Sequence, residues 1–212
     1  MKRSVKEWGI RILLLCIGLV IAHFGVTLFM LVNLGSDPFN VFIHGLTRFT
    51  PFSHGVTHMC ISFLIIIVLL FLDRSYVKPG TLICMFLGGP IIDLFTWMLG
   101  GIVNGEMYFP VRLLVMTAAC LILAFGMTIV IQSDAGTGPN DLVAVVISDK
   151  RKKKFGTVRI VVDVCFAGLG WLLGGTIGLG TVVCACLVGP TAQIFLPGSE
   201  KICGRFLKEK EN

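Results

Sequence analysis

Charged residues are scarce in this 212-residue sequence: only 14% are Asp, Glu, Lys or Arg, whereas 55% are hydrophobic. Soluble domains carry about 25% charged residues. The scarcity excludes an ordinary soluble domain, and several apolar runs of about 17–23 residues are long enough to cross a bilayer. The composition therefore predicts a polytopic membrane protein whose main partner is the lipid bilayer.

The sequence also lacks the signatures of several enzyme and metal-protein classes. It contains no HExxH, GxSxG or Walker sequence, so nothing supports an enzyme and no cofactor is expected. Seven of the eight cysteines lie inside apolar runs, and Cys184-Ala185-Cys186 has no neighbouring His or second Cys pair, so no metal site is expected. The basic run at 150–154 comes without an aromatic platform or nucleic-acid-binding module, so no nucleic-acid partner is expected.

What the sequence does contain is a duplication. The turn Gly136-Thr137-Gly138-Pro139-Asn140-Asp141 lies 101 residues after the turn Gly35-Ser36-Asp37-Pro38-Phe39-Asn40. An offset of 100 carries Gly80-Thr81 onto Gly180-Thr181, so a single gap separates the two registers. Such self-similarity predicts an internal repeat. We predict one membrane domain over 1–212, with repeats at about 12–97 and 113–195.

Six apolar runs are predicted to be membrane-spanning helices, which makes the fold all-α. Two further segments, 39–49 and 141–148, are too short to cross a hydrocarbon core of about 30 Å. Each follows a proline that suits the first position of a new helix, so each is predicted to be a half-helix that is either re-entrant or interfacial. The predicted spans are 12–34, 53–72, 80–100, 111–132, 155–173 and 181–196, the last ended by Pro197-Gly198.

The basic residues predict the orientation. With the amino terminus in the cytoplasm and neither half-helix crossing, cytoplasmic segments hold 15 of the 18 Lys and Arg residues, including Lys2, Arg3 and Lys210. This positive-inside bias favours a topology with both termini in the cytoplasm. Three spans per repeat is an odd number, so the two repeats enter the membrane from opposite sides and are inverted. Inverted repeats with interrupted segments at matching places are typical of a transporter's binding site.

The two glycine- and proline-rich turns are the first candidate binding residues. A half-helix that starts after the proline exposes N–H groups that can receive an anion. Asp37 and Asp141 near these ends suit a cation or an amine equally well, or cap the helix without binding anything. The candidate solute-binding residues of the turns are Gly35, Asp37, Pro38, Asn40, Gly136, Gly138, Pro139, Asn140 and Asp141.

Polar residues inside the spans are the second group of candidates, because charges are costly in a membrane and are functional by default. Asp93 has no neighbour in its own helix to neutralise it, and Gln193 occupies the matching place in the second repeat. Arg159 and Asp163 are four residues apart on one helix, so a simple mutual ion pair is the alternative to a binding role. His58 lies 101 residues before Arg159. We expect all five to line the space between the turns.

The order of these motifs resembles the YitT/YczE-type bacterial membrane proteins. The resemblance rests on Leu34-Gly35, Pro38, Gly80-Thr81 and Gly89-Pro90, and again on the 136–141 turn, Gly180-Thr181 and Gly189-Pro190. It implies a bacterial inner-membrane protein of the shorter branch, without the soluble carboxyl-terminal domain of some relatives. It does not imply a substrate.

The leading functional hypothesis is a small transporter or channel-like permease for an unidentified small solute. One alternative is a substrate-capture subunit of an ATP-driven vitamin-type uptake system, and another is an accessory membrane protein without transport activity. The sequence leaves open whether the chain forms a homodimer or binds a partner membrane protein.

Overall fold

The computed structural model describes residues 4–52 and 54–208; Lys2, Arg3, Ser53 and Lys210, to which the sequence interpretation gave a place, lie outside this part. The described residues form eight α-helices and no strand. Six of the helices are long and apolar enough to cross a membrane. The helices are α1 (Val5–Leu31), α2 (Pro38–Thr47), α3 (His54–Leu72), α4 (Pro79–Leu99), α5 (Phe109–Ser133), α6 (Pro139–Arg151), α7 (Phe155–Leu172) and α8 (Leu179–Lys208).

The chain leaves α1 and α5 in the same backbone conformation. Asn33 and Asp134 have φ of 49° and 55°, and Gly35 and Gly136 have φ of 142° and 139°. A φ of this size is left-handed backbone that glycine adopts at little cost. A proline then fixes the first residue of α2 and of α6, where a missing N–H costs nothing. The repeated sequence signature thus specifies two helix–turn–helix corners.

The centre of the bundle is the pair α1 and α5, which lie backbone to backbone. A Cβ added at Gly25 would lie 2.6 Å from the Leu123 nitrogen, and one at Gly126 would lie 2.3 Å from the Ala22 nitrogen. Only glycine permits so close an approach, which is typical of helix packing in membranes. The helix α8 packs against α5, α4 packs against α1, and both short helices pack against α7.

We call α1–α4 the first half and α5–α8 the second half. Two corresponding backbone hydrogen bonds each join the corner of one half to the start of a helix in the other half. The Gly80 N–H donates to the Ala135 carbonyl oxygen at 2.9 Å, which fixes the start of α4 beside the end of α5. The Gly180 N–H donates to the Leu34 carbonyl oxygen at 2.8 Å, which fixes the start of α8 beside the end of α1. The two bonds join residues that correspond at offsets of 100 and 101.

The two halves differ in how their last two helices pack. The helices α7 and α8 pack against each other, whereas α3 and α4 have at most a marginal contact. Only 22% of the α3 span and 11% of the α4 span are buried, against 39% for α7 and 44% for α8. The first half therefore exposes a face whose counterpart in the second half is covered.

The prediction that Pro197-Gly198 ends the last span is wrong, since α8 continues to Lys208 with Pro197 inside it. Tertiary contacts hold this extension. The Ser199 hydroxyl is fully buried and lies 2.7 Å from the Thr128 hydroxyl, and Cys203 is buried against Leu14 and Ile129. Packing on α1 and α5 therefore outweighs the helix-breaking tendency of the proline.

Candidate functional site

The two turns use their carboxylates differently. In the first turn Asp37 caps α2: its Oδ1 accepts the Asn40 backbone N–H at 3.1 Å, and its Oδ2 accepts the Asn40 side-chain amide. In the second turn the capping position is Gly138, which has no side chain to offer. Asp141 does not cap α6 and is directed to another helix. The capping interpretation is therefore observed at the first turn only.

Arg159 of α7 binds two carboxylates. Its Nε donates to Asp163 Oδ2 at 3.0 Å, one helical turn further along α7, and its Nη1 donates to Asp141 Oδ1 at 2.5 Å, at the start of α6. Arg159 is 7% exposed and Asp163 is 1% exposed. The i,i+4 pair expected from the sequence is present, and the second turn joins it through Asp141.

The first turn reaches the same region of α7. Phe39, two residues after Asp37, packs its ring edge-on against Phe166 of α7, with ring centroids 5.1 Å apart. Asp37 belongs to the corner after α1, and Asp141 belongs to the corner after α5. The second turn thus contacts the Arg159–Asp163 pair through Asp141, and the first turn packs on the same helix. We name Asp37, Asp141, Arg159 and Asp163 the polar cluster.

The polar cluster holds three carboxylates and one guanidinium, so its formal charge is negative. Two helix amino termini lie beside it, and their dipoles favour negative groups at this place. Charge-assisted hydrogen bonds of this kind are stronger than neutral ones. Taking charged groups out of water is also costly, and the cost is repaid only where their partners neutralise and hydrogen-bond them well. A small charged or hydrogen-bonding solute could exchange with one of the carboxylates on Arg159.

Two histidines lie near the polar cluster. The ring of His58 packs edge-on against Phe39, the second residue of α2, with ring centroids 5.2 Å apart. His23 of α1 has its Nδ1 2.8 Å from the Leu19 carbonyl oxygen, one turn earlier in the same helix. A Cβ at Gly88 would lie 2.7 Å from His23 Nε2, so α4 leaves room for this ring. His23 is thus held by the backbone of its own helix and by α4.

The structure does not bring Asp93 to the polar cluster. Asp93 lies on an exposed face of α4, and its counterpart Gln193 accepts the Gly156 N–H at 3.0 Å between α8 and α7. The expectation that these two side chains line one space with both turns is therefore not met in this conformation. Of the residues in the turns, Pro38 and Pro139 are buried, and Asn140 is half-buried beside Asp141.

Sequence interpretation missed a second set of contacts at the ends of α1 and α5. Arg11 donates to the Ser133 carbonyl oxygen at 3.0 Å and to Asp134 at 3.3 Å, and Lys78 also pairs with Asp134. Arg112 donates at 2.8 Å to the carbonyl oxygens of both Val32 and Asn33. Arg112 lies 101 residues after Arg11, so the repeat offset could have identified the pair.

The cysteines are free thiols, and several are buried between helices. Cys120 of α5 and Cys184 of α8 belong to one buried hydrophobic cluster. Within residues 4–52 and 54–208, no group of three or more His, Cys, Asp or Glu side chains is arranged to hold a metal ion. The chemistry of the site is thus that of carboxylates, a guanidinium and helix ends.

Comparison with known proteins places the chain among bacterial membrane proteins. A family model described as a family of unknown function (DUF6198) matches residues 9–197. The uncharacterized membrane protein YczE of Bacillus subtilis is 27% identical over 86% of this chain and 83% of its own length. The uncharacterized protein YyaS of Bacillus subtilis is 27% identical over 87% of this chain and 92% of its own length.

A third relative is an uncharacterized protein of Haemophilus influenzae, 30% identical over 86% of this chain and 82% of its own length. No solved structure matches the chain. The YczE-type resemblance seen in the turns is thus confirmed across most of the sequence.

Proposed function

Since the chain belongs to the family of unknown function DUF6198 and has six helices that can span a membrane, we propose that it is a small-solute transporter or channel-like permease. The solute site is the polar cluster between the two glycine- and proline-rich turns. The observation that carries this proposal is the contact of Asp141, from one turn, with Arg159 of α7, the helix on which the other turn also packs. Interrupted helices that meet at charged side chains are typical of transporter sites.

The fold underlying this site is two inverted three-helix repeats, each with one half-helix. Three features that recur at the repeat offset, two contacts and one backbone angle, support it. Arg11 binds the end of α5 as Arg112 binds the end of α1. The Gly80–Ala135 hydrogen bond corresponds to the Gly180–Leu34 bond. The corner glycines Gly35 and Gly136 have nearly equal φ.

The orientation follows from charge. The amino-terminal segment, the loop between α3 and α4, the basic run at 150–154 and the carboxyl-terminal tail together carry 15 of the 18 Lys and Arg residues. This bias places these segments on the cytoplasmic side of the bacterial inner membrane. Lys150 lies 3.5 Å from Asp73, so the α6–α7 loop and the end of α3 lie at one level, as this orientation requires. Both termini are then cytoplasmic.

Arg159 is the residue through which a solute would act on the fold. Asp141 binds Arg159 from the start of α6, whereas Asp163 holds Arg159 from within α7. A solute anion that takes the place of Asp141 releases the start of α6, and a solute cation that binds Asp141 also competes with Arg159. Either exchange couples solute binding to the position of a half-helix.

Affinity purification followed by reconstitution tests this function class. The protein is purified from its own membranes in mild detergent, and the flux of radiolabelled amino acids, organic acids and amines into proteoliposomes is measured. Flux by the protein alone, lost in Asp141→Asn and kept in Asp149→Asn, supports the transporter. A stoichiometric ATPase module would favour a capture subunit, and a stable partner of another kind without flux would favour an accessory protein.

A further inference from the structure

The helices α7 and α8 meet along a closed seam made of two glycines. A Cβ at Gly156 would lie 2.6 Å from the Gly189 carbonyl oxygen, and a Cβ at Gly189 would lie 2.6 Å from the Gly156 carbonyl oxygen. The two helix backbones are therefore in direct contact at this point. We name Gly156, Gly189 and Gln193 the second-half seam.

A side chain completes this contact. Gly156 is the second residue of α7, so its N–H has no partner within the helix. The Gln193 Oε1 accepts this N–H at 3.0 Å, which ties the start of α7 to the middle of α8. The seam thus combines close backbone packing with one cap supplied by the neighbouring helix.

The first half has three corresponding residues, but its two glycines are not in contact with each other. Gly55, the second residue of α3, and Gly89 of α4 correspond to Gly156 and Gly189, and a Cβ at either would meet nothing within 4 Å. Asp93 corresponds to Gln193 and is exposed. Glycine weakens a helix unless close packing requires it. No packing in this conformation requires Gly55 or Gly89.

These observations are explained by a second conformation. We propose that α3 and α4 close onto each other through Gly55, Gly89 and Asp93 when α7 and α8 separate, so that the two seams open in alternation. In the closed first-half seam, Asp93 accepts the Gly55 N–H as Gln193 accepts the Gly156 N–H. This inference rests on the inverted repeats and the transport function proposed above.

Because the two seams open in alternation, a solute reaches the polar cluster from one side of the membrane at a time. Arg159 lies three residues after Gly156, and a Cβ at Gly189 would lie 3.5 Å from the Arg159 Cβ, so the second-half seam borders the polar cluster. With the amino terminus in the cytoplasm, Gly156 is at the cytoplasmic end of α7 and Gly55 at the outer end of α3. The closed second-half seam then lies on the cytoplasmic side of the polar cluster, and the separated first-half seam lies on the outer side.

Spin-label distances in the full-length protein test this inference. In a cysteine-free background, one label pair is attached after Val56→Cys and Leu94→Cys, and its counterpart after Thr157→Cys and Ile194→Cys; all four positions are exposed. The first pair reports on α3 and α4, and the second pair on α7 and α8. We expect the first distance to shorten when the second lengthens.

Glycine variants move the equilibrium in opposite directions. Gly55→Ala places a methyl group where Gly89 must approach, so it removes the short 56–94 distance. Gly156→Ala forces the closed seam apart, so it increases the short 56–94 and the long 157–194 populations. Gly168→Ala is the control, because a Cβ there also meets nothing within 4 Å but lies outside both seams; we expect it to leave both distances unchanged.

Several results overturn the alternation. It fails if Gly156→Ala leaves the 56–94 distance unchanged, or if the two distances vary independently. It also fails if a 56–94 distance arises between two molecules, which would mean that a second copy of the chain covers α3 and α4. Coupled seams without solute flux would sustain the alternation and defeat the transport function, and flux with fixed seams would do the reverse.

Discussion

The two corners of this protein have the same backbone and different chemistry. Both leave a long helix through a left-handed residue and a glycine of φ near 140°, and both start a short helix with proline. At the first corner the carboxylate of Asp37 is used by its own helix as a cap. At the second corner the carboxylate of Asp141 is used by another helix, through Arg159. A repeated motif therefore fixes a shape, and the position of its carboxylate decides whether that group caps its own helix or pairs with a neighbouring helix.

The largest expected effect concerns Arg159, which distinguishes the second corner from the first. Arg159→Leu leaves Asp141 and Asp163 facing each other without their cation, and removing one partner of a buried ion pair typically costs about 3–5 kcal/mol. Thermal unfolding in detergent should show a large drop in stability. Arg205→Leu, at an exposed position of α8, should remain within about 0.5 kcal/mol of wild type. Equal stability of Arg159→Leu and wild type would show that the cluster is not a stabilising network.

The next effect compares the corner glycines. Gly35→Ala and Gly136→Ala both place a side chain on left-handed backbone, at a cost of order 1–3 kcal/mol. A Cβ at Gly136 would also lie 2.4 Å from the Thr81 nitrogen, whereas the nearest atom to a Cβ at Gly35 is the Gly178 Cα at 3.0 Å. We therefore expect Gly136→Ala to unfold at a lower temperature than Gly35→Ala. The reverse order would contradict the tighter packing of the second corner.

A smaller effect separates capping from binding. Asp37→Ala removes the cap of α2 and should cost about 1 kcal/mol of stability, which Asp37→Ser should largely restore because serine also caps. Asp141→Ala and Asn140→Ala should weaken solute binding more than they lower stability. Unfolding temperature and solute retention, measured on the same preparations, give both quantities. If Asp37→Ala and Asp141→Ala lose only stability, both carboxylates are structural.

The smallest effect concerns the matched pair Asp93 and Gln193. Asp93→Asn at an exposed position should change stability by no more than about 0.5 kcal/mol. Gln193→Ala removes the acceptor of the Gly156 N–H and should cost about 1 kcal/mol, the usual contribution of one hydrogen bond. Thermal unfolding of the two variants beside wild type measures the difference. A larger loss in Asp93→Asn would mean that Asp93 is engaged in the resting conformation.

Much of this architecture could be predicted from the sequence, because a bilayer imposes long apolar runs and glycine-proline turns impose corners. The six spans and both half-helices were predicted in this way, and Arg159 with Asp163 followed from helical spacing. The contact between Asp141 and Arg159 joins different helices, so local spacing could not reveal it. The extension of α8 beyond Pro197 depends on Ser199 and Cys203 finding partners on α5 and α1.

The separation of α3 from α4 could not be predicted from the sequence either. Gly55, Gly89 and Asp93 match the second half closely enough to predict the same packing, yet only the second half is closed. The matched glycines predict that both helix pairs can pack closely, and the structure shows that only α7 and α8 do so in this conformation.

Solute retention is the most direct test of the claim that the polar cluster is a solute-binding site. Wild type, Asp141→Asn and Asp149→Asn are incorporated into lipid nanodiscs, exposed to the small-molecule fraction of a bacterial extract, washed, and analysed by mass spectrometry. Asp149 lies on the exposed face of the same helix as Asp141 and serves as the matched control. We expect wild type and Asp149→Asn to retain the same solute and Asp141→Asn to lose it. Equal retention by Asp141→Asn, or no solute retained by folded wild type, would contradict a binding site at the polar cluster.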